Sequence, residues 1–313
     1  MKTSLLFPGQ GSQYVGMGLD LYNNSPIAKE MFDHANAVLG YSISKICFEG
    51  PIETLKETRY TQPALFVHSA ILFEMMKEKL GFTPTSFSAT AGHSVGEYAA
   101  LYAAGVFSFE EGLKLVSLRG ELMFNSGIER PGTMFAVIGL ADEKVEEVCR
   151  EITNANAPEV VVPANYNSPG QLVVSGSRDV LRENAQKFKD AGARMVKELV
   201  VSGAFHSPLL ESSSEKLNLA INAVDFQNAV VPVYLNVTSK PEQNGAVIKE
   251  KLIAQLTSPV LWSQSMQNFA ADGFNNFIEI GAGNVLQGLT KRTLENVEIS
   301  GADKFEDLEK FKN

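Results

Sequence analysis

Residues 91–100 read AGHSVGEYAA, and the fold is read outward from them. The apolar run 87–91 ahead of this stretch predicts a short strand, and the Ala-rich run 95–104, closed by Gly105, predicts a helix. A turn this sharp needs residues without Cβ crowding, which Gly92 and Gly96 supply, and it pushes the Ser94 side chain outward from the sheet edge. The G-x-S-x-G pattern describes such a nucleophile elbow. A serine capping a glycine-tight turn is the plainer alternative. The elbow geometry also puts the backbone N–H of Val95 at a helix N-terminus, where partial positive charge can stabilise a developing oxyanion.

A serine hydroxyl is a poor nucleophile until a base accepts its proton. The chain has four histidines. His34 falls in an amphipathic pattern with Met31, Phe32, Ala35 and Val38, and His68 falls in an apolar helix, so both read as structural. His93 adjoins Ser94, but neighbouring residues at a strand end point to opposite sides. His206 is left, in the loop GAFHSP (203–208), with a capping role at the following helix as its alternative. No acid follows it at a recognisable spacing; a backbone carbonyl could orient its second nitrogen without charge.

In the predicted helix 108–126, Glu110, Glu111, Lys114, Ser117, Glu121 and Asn125 make the polar face. Arg119 falls instead on the apolar stripe with Gly112, Leu115, Val116, Leu122 and Met123. A buried guanidinium stays charged and calls for a carboxylate, from the protein or from a ligand. Beside a serine-based acyl site, a ligand carboxylate held by a bidentate pair is the reading preferred here.

Around these residues the chain reads as α/β. A strand at 4–7 leads into the loop Pro8-Gly9-Gln10-Gly11-Ser12-Gln13, whose exposed N–H groups could hold an anion. Helices follow at 26–39 and from Thr61, with Pro63 at its first helical position. From Thr133 the order becomes strand, helix, strand, strand, helix, strand, a ferredoxin-like unit of about 70 residues. Beyond Ser202 come a helix at 208–224, the strand-like VVPVYLNV, a helix near 248–256 and the strand of FIEIGAG. The organisation expected is one α/β domain, 1–127 and 199–313, interrupted by a small ferredoxin-like domain at 128–198.

Composition limits the partners. With 313 residues and 44% hydrophobic content the chain can bury a large core. A net charge of -9 and no dense Lys/Arg run argue against nucleic acid. Cys47 and Cys149 are the only cysteines, far apart, so neither a disulfide framework nor a cysteine-based zinc site is expected. The apolar run at the start is broken by Pro8 and Gly9, and no run is long enough to span a bilayer. A cytoplasmic protein with no membrane partner is expected.

Taken in order, FPGQGSQYVGMG (7–18), TQPAL (61–65), GHSVGEYAAL (92–101), LVSLRGELM (115–123), NYNSPGQLVVSG (165–176), GAFHSP (203–208), QLTSPVLW (255–262) and IEIGAGNVLQGL (278–289) resemble the malonyl-CoA:acyl carrier protein transacylases. The related acyltransferase domains of fatty acid and polyketide synthases share the pattern, over nearly the whole chain. The resemblance implies a hydrolase-like α/β large domain with an inserted ferredoxin-like small domain. It implies Ser94 as the acylated nucleophile, His206 as its base, and the main-chain carbonyl of Gln255 as the group orienting that base. It further implies an oxyanion hole from the N–H groups of Gln10 and Val95, Arg119 as partner of the malonyl carboxylate, and Gln62 and Phe205 lining the pocket. Malonyl-CoA and the phosphopantetheine arm of acyl carrier protein would be the substrates, with no metal or other cofactor, and the chain is expected to act as a monomer.

Rival readings are a polyketide-type acyltransferase, a serine esterase or thioesterase, and a non-catalytic scaffold. The esterase has no need of Arg119, and the scaffold should lack the nucleophile, base or arginine. A Ser-Asp dyad at Asp272-Gly273 is disfavoured by Phe274 and would leave His206 idle. Lys187, Lys189, Arg194 and Lys197 form a basic patch that could meet an acidic carrier protein.

Overall fold

The computed structural model describes residues 2–83 and 86–311. Its strands are β1 (Lys2–Phe7), β2 (Ala89–Gly92), β3 (Gly132–Ile138), β4 (Val161–Ser168), β5 (Gln171–Ser177), β6 (Met195–Glu198), β7 (Val233–Tyr234), β8 (Pro241–Glu242), β9 (Phe274–Ile280) and β10 (Glu298–Ala302). They form a six-stranded sheet in the order β10-β9-β1-β2-β7-β8 and a four-stranded sheet in the order β4-β5-β3-β6.

The larger sheet is parallel from β10 through β7, and β8 closes its edge antiparallel. Parallel strands need crossovers that cover both faces, so their residues are apolar on both sides. In β1 the alternation is visible: Leu5 and Phe7 pack into the core on one face, while Leu6 packs on the other with Ala89, Ala91 and Trp262. The first of these cores is built around the helix Thr58–Leu80, whose side chains are buried nearly all round.

The smaller sheet is antiparallel throughout, with β3 between β5 and β6. Helices Asp142–Ala155 and Arg178–Asp190 complete a strand-helix-strand-strand-helix-strand order, which is ferredoxin-like. This unit has its own core, including Val137, Val145, Val174 and Phe188. It is tied to the larger one by backbone hydrogen bonds from Tyr166 N to Val260 O (2.9 Å) and from Val260 N to Ala164 O (2.8 Å).

Three local expectations are corrected. Pro63 does not open its helix; the helix starts at Thr58 with Pro63 inside it. The start lies upstream because Glu57 O accepts from the N–H groups of Tyr60 and Thr61, and Thr61 Oγ1 donates to Leu55 O at 2.5 Å. Those bonds fix the first turn before the proline removes one donor. The segment VVPVYLNV contributes only Val233 and Tyr234 as strand, since Pro232 has no N–H to pair. The helix expected from Pro208 begins as a short 3-10 turn, Pro208–Leu210, and becomes α-helical at Glu211.

The strand-helix turn after β2 depends on contact between backbones. A Cβ on Gly96 would stand 2.1 Å from Phe7 O, and one on Gly92 would stand 1.9 Å from Gly96 O. Gly96→Ala is therefore expected to cost about 3 kcal/mol or more, because β1 and the turn must separate to admit a methyl group. Urea unfolding measures this, and a loss below about 1 kcal/mol would mean that the approach of β1 to the turn is not a rigid constraint.

Candidate active site

Ser94 sits between β2 and the helix Gly96–Ala103 at φ 53°, in the left-handed region that a residue with a side chain rarely occupies. One side chain holds it there with two hydrogen bonds. Asn236, just beyond β7, accepts from Ser94 N at 2.8 Å through Oδ1 and donates to Gly92 O at 2.7 Å through Nδ2. Nothing in the sequence pattern marks Asn236; only the parallel pairing of β2 with β7 brings it under the turn.

His206 Nε2 lies 2.8 Å from Ser94 Oγ. Its Nδ1 faces two main-chain carbonyls, Gln255 O at 3.0 Å and Ser258 O at 3.2 Å. Both are acceptors only, so the ring proton resides on Nδ1 and Nε2 is left with a free lone pair toward the serine. Ser258 was not anticipated from the sequence, because a carbonyl acceptor leaves no trace in residue type. Burial, with Arg119 nearby as a second cause, pushes His206 down to about 3. The ring is thus neutral at physiological pH and able to accept a proton. Like Ser94, it has positive φ, at 56°.

Arg119 is 1% exposed and comes from the helix Phe109–Glu129. It has no ion-pair partner among the described residues. Nη1 donates to Gln62 Oε1 at 2.7 Å, and Nη2 donates to Gln255 Oε1 and to Ser94 Oγ, both at 3.1 Å. The Nε–H has no acceptor, and the guanidinium lies 5.7 Å from the centroid of the Tyr98 ring. Neutral amide oxygens thus take the place of an internal carboxylate, and the three bonds leave two of the five N–H donors, the Nε–H among them, without a protein acceptor among the described residues. Burial pulls the guanidinium below its ordinary value, yet a guanidinium remains charged at neutral pH.

Gln10, Gln62, Ser94, Val95, Arg119, Phe205 and His206 line one cleft, with Met123, Met134, Leu199 and Val201 supplying apolar wall. Gln255 stands behind it. Among the described residues, the main-chain N–H groups of Gln10 and Val95 donate to no protein acceptor. His93 also lines this cleft but makes no side-chain hydrogen bond to Ser94; its Nε2 meets Asn167 Oδ1 at 2.8 Å. His68 is buried in the core, and His34 lies at the surface near Glu110. Glu97, which the sequence reading passed over, is buried beside Gln255 and Asn236, and burial raises it to about 7.

The buried imidazole predicts an acid sensitivity. Between about pH 6.5 and 3 the unfolded chain binds a proton at His206 that the folded chain refuses, so this contribution lowers stability as pH falls through that window. Glu97 acts in the opposite sense, since its folded-state value lies above that of the unfolded chain. Comparing the wild type with His206→Gln isolates the histidine: the variant should lose less stability between about pH 6.5 and 4.5, read from urea midpoints. Parallel curves would place the ring in water-like surroundings.

Residues 5–308 match the family model for the acyl transferase domain. The malonyl CoA-acyl carrier protein transacylase of Bacillus subtilis (strain 168) is 42% identical over 308 residues, covering 97% of this chain and 95% of its own. The crystal structure of an acyl carrier protein S-malonyltransferase from Vibrio cholerae superposes with a TM-score of 0.93 at 38% identity, each chain covered in full. A malonyl-transacylase solved in complex with its type II polyketide synthase acyl carrier protein gives a TM-score of 0.93 at 36% identity, with 99% of both chains covered. Matched by the family model over residues 5–308 and by the Bacillus subtilis relative at 42% identity over 97% of its length, this chain belongs to the acyl transferase domain family, among the malonyl CoA-acyl carrier protein transacylases.

Proposed function

We propose that the chain moves a malonyl group from malonyl-CoA to the phosphopantetheine thiol of acyl carrier protein through an ester on Ser94, supplying extender units for fatty acid synthesis. The observation that carries this reading is the contiguous row His206 Nε2, Ser94 Oγ, Arg119 Nη2, with steps of 2.8 and 3.1 Å. A base and a cation thus flank one hydroxyl.

In the first half-reaction Ser94 Oγ attacks the thioester carbonyl as its proton passes to His206 Nε2. The oxyanion is held by the N–H groups of Gln10 and Val95, whose fixed dipoles need no reorganisation as charge develops. The tetrahedral intermediate collapses, the C–S bond breaks, and the imidazolium returns its proton to the departing thiolate. The carrier thiol then attacks the ester with the same ring as base, and Ser94 regains its proton, which gives ping-pong kinetics. These side chains and the two main-chain donors suffice, with no metal or other cofactor in any step.

Arg119 selects the acyl group. A guanidinium within hydrogen-bond reach of the nucleophile suits a carboxylate one methylene beyond the reacting carbonyl, and a longer diacid would overshoot it. Phe205 and Met123 narrow the remaining space. An esterase would gain nothing from a buried cation here, because its acyl groups bring no counter-charge. We further read the protein as acting in the cytoplasm as single copies; among the described residues no helix is long and apolar enough to cross a membrane. Lys187, Lys189, Arg194 and Lys197 are exposed on the ferredoxin-like unit and offer positive charge to an acidic carrier.

Brief incubation with malonyl-CoA should add one malonyl group to Ser94 by intact mass, and holo carrier protein should remove it faster than water does. Absence of the adduct in Ser94→Ala is required, and rapid loss to water without transfer would favour the esterase. For Arg119→Ala, malonyl kcat/KM should fall by about 3–5 kcal/mol of transition-state stabilisation, a hundred- to several thousand-fold. Acetyl transfer should lose much less. Equal losses for both acyl groups in a folded variant would make Arg119 structural.

A further inference from the structure

Glu97 has no part in the chemistry above, yet it is 1% exposed, sits in the first turn of the elbow helix and forms no ion pair among the described residues. Its Oε2 accepts from Gln255 Nε2, and its Oε1 accepts from Asn236 N at 3.4 Å. On the far side of the same Gln255 amide, Oε1 accepts from Arg119 Nη2 at 3.1 Å. Nε2 also donates to Ser94 O at 3.0 Å.

A carboxylate has acceptors only, and a guanidinium has donors only. An amide placed between them can be satisfied in one direction, with its nitrogen toward the carboxylate and its oxygen toward the guanidinium. We infer that Glu97 is a positioning residue for acyl selection: through the Gln255 amide it holds Arg119 as a counter-charge at one remove, leaving the guanidinium oriented and free for the substrate carboxylate. A direct Glu97–Arg119 ion pair would instead occupy the donors that the substrate needs. Charge-assisted hydrogen bonds run along the whole row, so the amide is polarised from both ends.

This inference rests on Arg119 as the carboxylate-binding group. Its test uses Glu97→Gln, which keeps size but removes the negative charge, so Arg119 loses its counter-charge at one remove and the Gln255 amide is no longer polarised from the far end. Assays at about pH 8 keep the wild-type Glu97 ionised. Malonyl-CoA kcat/KM should fall about tenfold or more, chiefly through KM, while acetyl-CoA kcat/KM changes by less than about threefold. Gln255→Met, which removes the amide but retains the main-chain carbonyl facing His206, should shift the malonyl-to-acetyl ratio in the same direction. Adding Glu97→Gln to Gln255→Met should then shift that ratio no further, because both changes break one relay.

An unchanged ratio in Glu97→Gln, an equal loss for the two acyl groups, or fully multiplicative effects in the double variant would overturn the inference. If Glu97→Gln does not fold, an unchanged ratio in Gln255→Met overturns it alone. Selective malonyl loss in Arg119→Ala without any in Glu97→Gln would reject the relay and keep the role of Arg119. Equal losses for both acyl groups in Arg119→Ala would reject both.

Discussion

A guanidinium buried with no carboxylate paired to it among the described residues is the constraint around which this site is arranged. Removing such a charge from water costs several kcal/mol unless hydrogen bonds and nearby opposite charge offset it. Here the offset comes from the Gln62 and Gln255 oxygens, the Tyr98 ring and, one amide away, Glu97. Each of these satisfies the cation only in part. Among the described residues no direct anion meets it, and under the function proposed above the carboxylate of the substrate would supply one.

The same charge conditions the base. Arg119 and burial both disfavour the imidazolium of His206, so the free site strongly favours the neutral ring. Once a substrate carboxylate pairs with the guanidinium, the field opposing protonation weakens, and the proton from Ser94 is accepted at lower cost. Under the proposed function, selection of the acyl group and readiness of the base would be linked through one side chain. Backbone strain at Ser94 and His206, each at positive φ, is of order 1–3 kcal/mol per residue. At Ser94 it is held by the Asn236 clamp at the end of the parallel sheet.

Much of this was legible in residue types. The elbow could be read from Gly92, Ser94 and Gly96 because only residues without Cβ tolerate such close backbone contact. Arg119 could be read because a charge on an apolar helical stripe breaks periodicity. The ferredoxin-like order from Thr133 to Glu198 could be read because each strand and helix is short and cleanly punctuated. The start of the helix at Thr58 could not, since it is set by hydrogen bonds to the preceding loop that outweigh the proline signal. Strand β10 and the helices Trp262–Ala271 and Val285–Thr293 were not assigned from the sequence.

By itself, the sequence determined which chemistries were available: one serine on a glycine turn, one histidine free of a structural role, one arginine on an apolar face. Those are properties of side-chain type and local spacing, and they survive without knowledge of the fold. Only the tertiary structure decided that the three meet in one cleft and that main-chain carbonyls at and just beyond the end of the helix Gly245–Gln255 fix the tautomer of His206. It also decided that Asn236 grips the turn and that Glu97 reaches Arg119 only through Gln255. Hydrogen-bond direction and desolvation arise between segments far apart in the chain, and local pattern carries no record of either.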